Sequence, residues 1–199
     1  MPDLLSKNVY EYLSYVTGRL SSIARYSTEK SITRQSVMEH IGNVAFITLV
    51  LSEYLNERGI RNDSDKAVKL ALMHDVSEII SGDLPHDSKY GYGKISEGLR
   101  KQLGSLEEIT MQYALGKLKD DGLSRMLYSL FEEYNKRKTI ESKIVKIADL
   151  YDVVLYTHQE MSLGNRSMVG THRFALRNLK SLLNEICNKQ PHRHGRNER

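Results

Sequence analysis

The sequence predicts an all-α protein that folds as a single orthogonal helical bundle. Apolar residues recur with the 3.6-residue period of a helix along most of the 199-residue chain. No segment shows the strict alternation that is typical of a half-buried strand. Proline, which breaks helices, occurs only at Pro2, Pro85 and Pro191. We find neither an internal repeat nor a linker, so we expect one domain over residues 1–188 and a basic tail at 189–199.

The apolar period also gives approximate bounds for each element. Helices are expected at residues 4–24, 36–59, 64–81, 95–119, 123–136, 140–161 and 174–188. Gly18 predicts a soft break in the first helix, and either Asp63 or Ser64 can cap the third. Gly82 is expected to end that third helix, and Pro85 prevents its resumption. The polar stretch 25–35 predicts a loop, and the glycine-containing stretches 87–94 and 162–171 predict flexible loops.

Composition and charge restrict the classes of partner. Hydrophobic residues make up 40% of the chain and charged residues 27%, which is typical of a soluble globular protein. Of the net charge of +4, the last eleven residues supply +3, so the body is nearly neutral and we do not expect nucleic acid as the main partner. No apolar run approaches the roughly 20 residues that span a bilayer. The N-terminus lacks the pattern of a signal peptide and the only cysteine is Cys187, which favours a cytoplasmic protein.

Four candidate metal-binding or acid/base groups lie close together in residues 72–85, which read LMHDVSEIISGDLP: His74, Asp75, Glu78 and Asp83. On a helix, His74 shares an apolar face with Leu70 and Ala71, and Glu78 follows four residues later on the same face. An imidazole and a carboxylate that face a core must be paired or bound to a ligand, because burying them alone costs several kcal/mol. Taken alone, the stretch is explained equally well by a hydrogen-bonded core histidine beside solvated acids.

Two other predicted helices carry metal-binding residue types on apolar faces. His40 shares a face with Val44 and Leu51, and Asp149 lies on a face that includes Val145 and Ala148. A single histidine in such a position is more often structural than a ligand. Three helices that each direct such a group inward predict a shared site instead. Two imidazoles and two carboxylates suit a divalent cation such as manganese, iron, cobalt or zinc.

The order His40, then His74-Asp75, then Asp149 resembles the H…HD…D pattern of the HD-domain phosphohydrolase superfamily. The segments SVMEH at 36–40, HDVSEIISGDLP at 74–85 and VKIAD at 145–149 are most similar to the YfbR-like 5′-deoxynucleotidases, over about residues 20–160. The resemblance implies the HD-domain fold. It also implies one divalent metal ion (manganese, cobalt, magnesium, iron or zinc) bound by His40, His74, Asp75 and Asp149.

The same resemblance implies roles for residues around the metal. Glu78 would orient or deprotonate the attacking water, and Asp83 would line the pocket near the sugar and help to position the substrate. Arg25, fifteen residues before His40, would bind the phosphate. Tyr26 would pack on the sugar or base, at a position where the family has tryptophan; this departure leaves the base preference open.

Four further charged residues allow two interpretations from the sequence alone. Lys89 and Lys146 are candidate phosphate contacts, although solvated surface lysines have the same appearance in a sequence. Glu39 and Glu141 are candidates for acids that orient metal ligands, or are ordinary acids on a helix surface.

The activity implied by the resemblance is hydrolysis of the 5′-phosphate of deoxyribonucleoside monophosphates, by a homodimer. One alternative is a deoxynucleoside triphosphohydrolase of the same superfamily. Another is a non-catalytic HD module that binds nucleotides. Phosphohydrolase chemistry is consistent with the residues themselves, because a divalent ion acidifies water and neutralises phosphate charge.

Overall fold

The structure is a computed structural model that describes residues 6–84 and 94–188. The α-helices are α1 (Lys7–Ser22), α2 (Val37–Glu57), α3 (Ser64–Met73), α4 (Glu78–Ser81), α5 (Lys94–Gly116), α6 (Asp121–Lys136), α7 (Ile140–Ser162) and α8 (Val169–Asn188). A short 3₁₀ helix, Arg166–Met168, precedes α8. Within the described ranges the only β-pairing is an isolated bridge between Ala24 and Ser36, so the all-α prediction is confirmed. In those ranges no helix is both long and apolar enough to cross a membrane.

Short polar side chains determine where several helices begin. Ser36 forms a capping box with Glu39 at the start of α2, because each side chain accepts from the other residue's backbone amide. Asp63 accepts from the backbone amide of Lys66 and so caps α3. Helix α1 continues through Gly18, where the sequence predicted a break. A helical glycine costs only about 1 kcal/mol relative to alanine, so a single one does not break a helix of 16 residues.

Helix α7 is the central element of the bundle, because it packs against α2, α3, α6 and α8. Its residues Ile144, Val145, Ile147 and Ala148 are at most 2% exposed. Each of the isoleucine and valine side chains contributes on the order of 1.5–3 kcal/mol through removal from water. Asp149 follows this apolar segment directly, so the packing of α7 determines where that carboxylate lies.

The predicted helix 64–81 is interrupted at residues 74–77, which is a correction to the sequence analysis. The chain there forms turns in which the amides of Val76, Glu78 and Ile79 bond to carbonyls three residues back, over 3.0–3.4 Å. Nδ1 of His74 lies 2.6 Å from the carbonyl of Ala71, which a continuing α-helix would offer to the amide of Asp75. The side chain of His74 therefore competes with helix continuation, and Glu78 begins a separate short helix.

Most of the predicted flexible loop 162–171 is instead ordered and partly helical. The segment contains the 3₁₀ helix and the start of α8, which begins at Val169 rather than near residue 174. Asn165 connects this segment to the rest of the bundle, because its Nδ2 donates to the carbonyl of Lys30 at 2.6 Å and to Glu160 at 2.7 Å. The other predicted flexible loop lies outside the described residues except for Lys94, which begins α5, and the basic tail at 189–199 lies outside them entirely.

Candidate metal centre

Four donor atoms from three parts of the chain converge inside the bundle. Nε2 of His40, on α2, lies 3.2 Å from Nε2 of His74, and 3.4 Å from both Oδ2 of Asp75 and Oδ1 of Asp149. Nε2 of His74 lies 3.1 Å from the same oxygen of Asp75. Atoms that share one cation at about 2.1 Å stand roughly 3 to 3.4 Å apart. The side chains of His40, His74 and Asp75 thus have the spacing of ligands to one metal ion, and Asp149 lies at their edge.

In the rings of His40 and His74, the hydrogen bond of Nδ1 determines whether Nε2 presents a lone pair to this cluster. Nδ1 of His74 contacts a carbonyl oxygen, which can only accept, so that nitrogen carries the proton. Nδ1 of His40 lies 2.6 Å from Oδ2 of Asp152 and donates to it in the same way. When the rings are neutral, as a bound cation requires, both Nε2 atoms are then unprotonated and face two carboxylates. A group of electron-pair donors without protons fits a bound cation.

The pKa shifts of His40 and Asp75 arise from the charges and hydrogen bonds within this cluster. Burial and the neighbouring Arg25 each lower the pKa of His40, but hydrogen bonds with Asp149, Asp152 and Asp75 raise it overall to about 10. Burial raises the pKa of Asp75, yet the adjacent His74 and His40 bring it well below its usual range. The excess of negative charge therefore attracts a proton when no metal ion is bound.

Asp149 has a second partner at this edge of the cluster. Its Oδ2 accepts a hydrogen bond of 2.6 Å from Nζ of Lys146, one turn earlier on α7. Burial raises the pKa of Asp149, but Lys146 first and then His40 lower it well below its usual range. Asp149 is therefore an anion that can use Oδ1 for a cation and Oδ2 for the lysine.

A cavity of about 650 Å³ opens directly beside the cluster. His74, Asp75 and Asp149 form part of its wall, together with Glu78 and Lys146. Glu78 is 6% exposed and stands in the first turn of α4. Apolar side chains of α7 and α8, including Val153, Phe174 and Leu182, also line the cavity. This volume is that of a small-molecule site lined by both charged and apolar groups.

Arg25 contacts both this cavity and His40 of the candidate metal cluster. The side chain is 9% exposed, and its Nη1 donates to Oε1 of Gln35 at 3.1 Å and to Oδ2 of Asp152 at 3.3 Å. Its Nε is buried without a hydrogen-bond partner in the described part of the chain. An arginine that lines a cavity with an unused donor is suited to bind an anion such as phosphate.

Tyr26 and Asp83 form a pair on the adjacent wall of the cavity. Tyr26 has a left-handed backbone (φ 56°), and its amide donates to Oδ2 of Asp83 at 2.8 Å. One face of the Tyr26 ring is covered by Tyr156, with ring centroids 4.6 Å apart and planes 1° from parallel. The guanidinium carbon of Arg25 lies 5.1 Å from the centroid of the same ring, so Tyr26 is already packed against two side chains. Asp83 helps to hold the loop that carries Arg25.

One polar ridge of α7 holds this loop in place. Asp152, Tyr156 and Glu160 follow each other at four-residue intervals and all contact residues 25–35. Tyr156 donates to the carbonyl of Thr33 at 2.7 Å, and Glu160 accepts from the amides of Ile32 and Thr33. This ridge was not among the sequence-based expectations. Its signal in the sequence is the four-residue spacing of Asp152, Tyr156 and Glu160.

Three other residues were suggested by the sequence as parts of the site. Lys89 lies outside the described residues. Glu39 is exposed and caps α2, and Glu141 pairs with Lys66 and the amide of Asp63, so neither orients a metal ligand. Asp152, which sequence reasoning missed, occupies that position. Its nearest sequence signal was its place three residues after Asp149 on the same helix.

Comparisons with known proteins agree with this geometry. The sequence profile of the YfbR-like 5′-deoxynucleotidases matches residues 11–189. The chain is 30% identical to a 5′-deoxynucleotidase from Vibrio cholerae over 149 residues, which is 74% of each chain. It is also 30% identical to a 5′-deoxynucleotidase from Yersinia pestis over 153 residues, 76% of this chain and 75% of the relative.

Two solved structures share the fold. A conserved hypothetical protein from Pyrococcus furiosus superimposes with a TM-score of 0.66 and 29% identity, over 90% of this chain and 97% of the other. An HD-domain phosphohydrolase from Listeria innocua gives a TM-score of 0.69 at 22% identity, over 91% and 87% of the two chains. The second likeness concerns the fold alone.

Proposed function

The chain belongs to the YfbR-like 5′-deoxynucleotidase family, and from this premise we propose that it hydrolyses the 5′-phosphate of deoxyribonucleoside monophosphates with the help of a divalent metal ion. The observation that carries the proposal is the convergence of His40, His74, Asp75 and Asp149 beside a cavity that Arg25 also lines. Those four side chains are the proposed metal ligands. The metal dependence itself accords with the HD-domain fold and with the unprotonated donor set.

In the proposed mechanism the protein positions three charged groups around one phosphate. A divalent ion held by the four ligands would acidify water and neutralise phosphate charge. Arg25 donates from its guanidinium to the phosphate oxygens and stabilises the charge that develops on them. Glu78, which lines the cavity with the ligands, accepts a proton from the attacking water, and a proton passes to the 5′-oxygen as the bond between that oxygen and phosphorus breaks. Asp83 and Tyr26 hold the sugar side of the nucleotide.

The donor set restricts the metal but does not select a single one. Two imidazole nitrogens and two carboxylate oxygens suit manganese, iron, cobalt or zinc better than calcium, which takes only oxygen ligands. Magnesium would require more water in its coordination shell than this donor set implies. We propose a borderline transition metal as the physiological ion.

A triphosphohydrolase of the same fold is the second candidate. Arg137 and Lys146 line the cavity in addition to Arg25, and further cations near a phosphate site suit a longer phosphate chain. Both have partners in the structure, since Lys146 bonds to Asp149 and Arg137 stacks on Tyr134. The pairing of these cations favours the monophosphate. A non-catalytic module is disfavoured because all four donors and Glu78 are present.

We also propose a homodimer in the cytoplasm. The family resemblance supports the dimer, as does the exposed apolar face of α2, where Phe46 is 69% and Val50 55% exposed. The single cysteine supports a reducing compartment. Light scattering at several protein concentrations would measure the assembly state.

A substrate panel tests the activity directly. Full-length protein is incubated with deoxyribonucleoside monophosphates, ribonucleoside monophosphates and deoxyribonucleoside triphosphates, each with manganese, cobalt, magnesium or zinc. We expect orthophosphate from the deoxyribonucleoside monophosphates. Pyrophosphate or tripolyphosphate from the triphosphates, without monophosphate hydrolysis, would instead establish the triphosphohydrolase. Nucleotide binding without any phosphate release would leave the non-catalytic module.

A further inference from the structure

Asp152 is a buried carboxylate whose two oxygens are both engaged. It lies on α7 and is 2% exposed. Oδ2 lies 2.6 Å from Nδ1 of His40, 3.1 Å from Nε2 of Gln35 and 3.3 Å from Nη1 of Arg25. Oδ1 accepts from Nδ2 of Asn43 at 2.9 Å. One carboxylate thus contacts a proposed metal ligand and the proposed phosphate-binding residue through the same oxygen.

Two proton arrangements at His40 would have opposite consequences. Nη1 of Arg25 lies 2.7 Å from Nδ1 of His40, and guanidinium nitrogens can only donate. If Nδ1 accepted from Arg25, the ring proton would sit on Nε2, which could not then bind a metal ion. If Nδ1 donates to Asp152, Nε2 is free to bind one.

The contacts around Asp152 favour the second arrangement. A distance of 2.6 Å between Nδ1 of His40 and an ionised carboxylate oxygen requires a proton between them, and the carboxylate has none. Arg25 does not need the ring nitrogen, because Oε1 of Gln35 and Oδ2 of Asp152 both accept from its Nη1. The proton of the neutral ring therefore lies on Nδ1.

We propose that Asp152 is the positioning residue of the metal centre: it fixes His40 in the tautomer that binds metal through Nε2, and through the same oxygen it holds Arg25 beside that ligand. This inference rests on the proposed function, because it concerns the same metal and phosphate sites. Carboxylates that orient a ligating histidine typically change metal affinity 10- to 100-fold when they are removed.

Metal affinity is the main test. The full-length protein is stripped with a chelator and titrated with cobalt, and wild type is compared with Asp152→Asn. The amide keeps the shape of the side chain but loses its charge and one acceptor. We expect cobalt affinity to fall about 10- to 100-fold. Saturating cobalt should restore occupancy and kcat, whereas KM should stay raised because Arg25 has lost the charge of Asp152; a misfolded variant would recover neither occupancy nor kcat.

Glu141→Gln is the matched control, because Glu141 is also a buried carboxylate of α7 but pairs with Lys66 away from the cluster. We expect it to bind cobalt like wild type. Equal affinity in Asp152→Asn and Glu141→Gln would overturn the role of Asp152 while leaving the proposed function intact. Failure of the wild-type protein to bind any cobalt would instead refute the metal site itself.

A second measurement needs no variant and decides the question even if Asp152→Asn does not fold. Nitrogen-15 NMR of zinc-loaded wild-type protein reports which ring nitrogen of His40 carries the proton. We expect a protonated Nδ1 whose proton is shifted to low field by the short hydrogen bond to Asp152. A bare Nδ1 would overturn the inference.

Discussion

The ring of His74 donates from Nδ1 to the backbone carbonyl of Ala71 across 2.6 Å. This one hydrogen bond has two consequences. It leaves Nε2 unprotonated and directed toward His40 and Asp75, and it occupies the carbonyl that the next turn of α3 would need. The same hydrogen bond therefore determines both where α3 ends and which tautomer His74 adopts.

Replacement of Asp75 by asparagine is expected to remove bound metal and activity together. Oδ2 of Asp75 stands within 3.4 Å of both Nε2 atoms, so its charge is central to the donor set. Metal content of purified Asp75→Asn, measured by mass spectrometry beside Glu141→Gln, checks this. Stoichiometric metal in the Asp75 variant would remove that residue from the proposed ligands.

Replacement of Glu78 by glutamine should leave metal binding intact and lower kcat. Glutamine keeps the shape of the side chain, but it cannot accept a proton from water, and a positioned base contributes about 10²–10⁴-fold to a rate. Metal content and kcat are measured on the same preparation. Loss of metal would reassign Glu78 as a ligand, and an unchanged kcat would exclude it as the base.

Replacement of Arg25 by lysine should weaken phosphate binding. Lysine keeps one positive charge but loses the planar set of donors that can contact a phosphate while bonded to Asp152 and Gln35. We expect KM and the inhibition constant of orthophosphate to rise roughly ten- to a hundredfold. Arg34→Lys is the control, because Arg34 lies on the same loop but bonds to the carbonyl of Ser22. Equal constants in the two variants would exclude Arg25 from the phosphate site.

Stability at acid pH should depend on Glu160. Burial raises the pKa of this carboxyl group, but hydrogen bonds from Ile32, Thr33 and Asn165 outweigh it and lower the pKa from 4.5 to about 2. A lowered folded-state pKa means that the contribution is complete above about pH 4.5 and is lost as the pH falls toward 2.

Urea unfolding of wild type and Glu160→Gln at several pH values checks this dependence. The variant should be less stable near neutral pH, by on the order of 2 kcal/mol, and the difference should shrink toward about pH 3. A difference that stays constant with pH would show that the ionised form of Glu160 does not stabilise the loop.

The sequence predicts most of the helices and the convergence of His40 and Asp149 on the His74–Asp75 pair for the same reason. His40 and Asp149 belong to long helices whose apolar period shows which face is buried. The break at residues 74–77 was not predictable from that period, because it arises from the side chain of His74 competing for one carbonyl. Asp152 was missed because it is marked out only by its contacts with Arg25 and His40, which lie more than a hundred positions away in the sequence.

The most direct test of the central claim is a metal titration of phosphate release. Chelator-treated protein is mixed with a deoxyribonucleoside monophosphate, and orthophosphate is measured as cobalt is added. We expect no release without metal, and a rise that saturates at one bound ion per chain. Full release by the metal-free protein, or no release at any cobalt concentration, would contradict a phosphohydrolase centre built by His40, His74, Asp75 and Asp149.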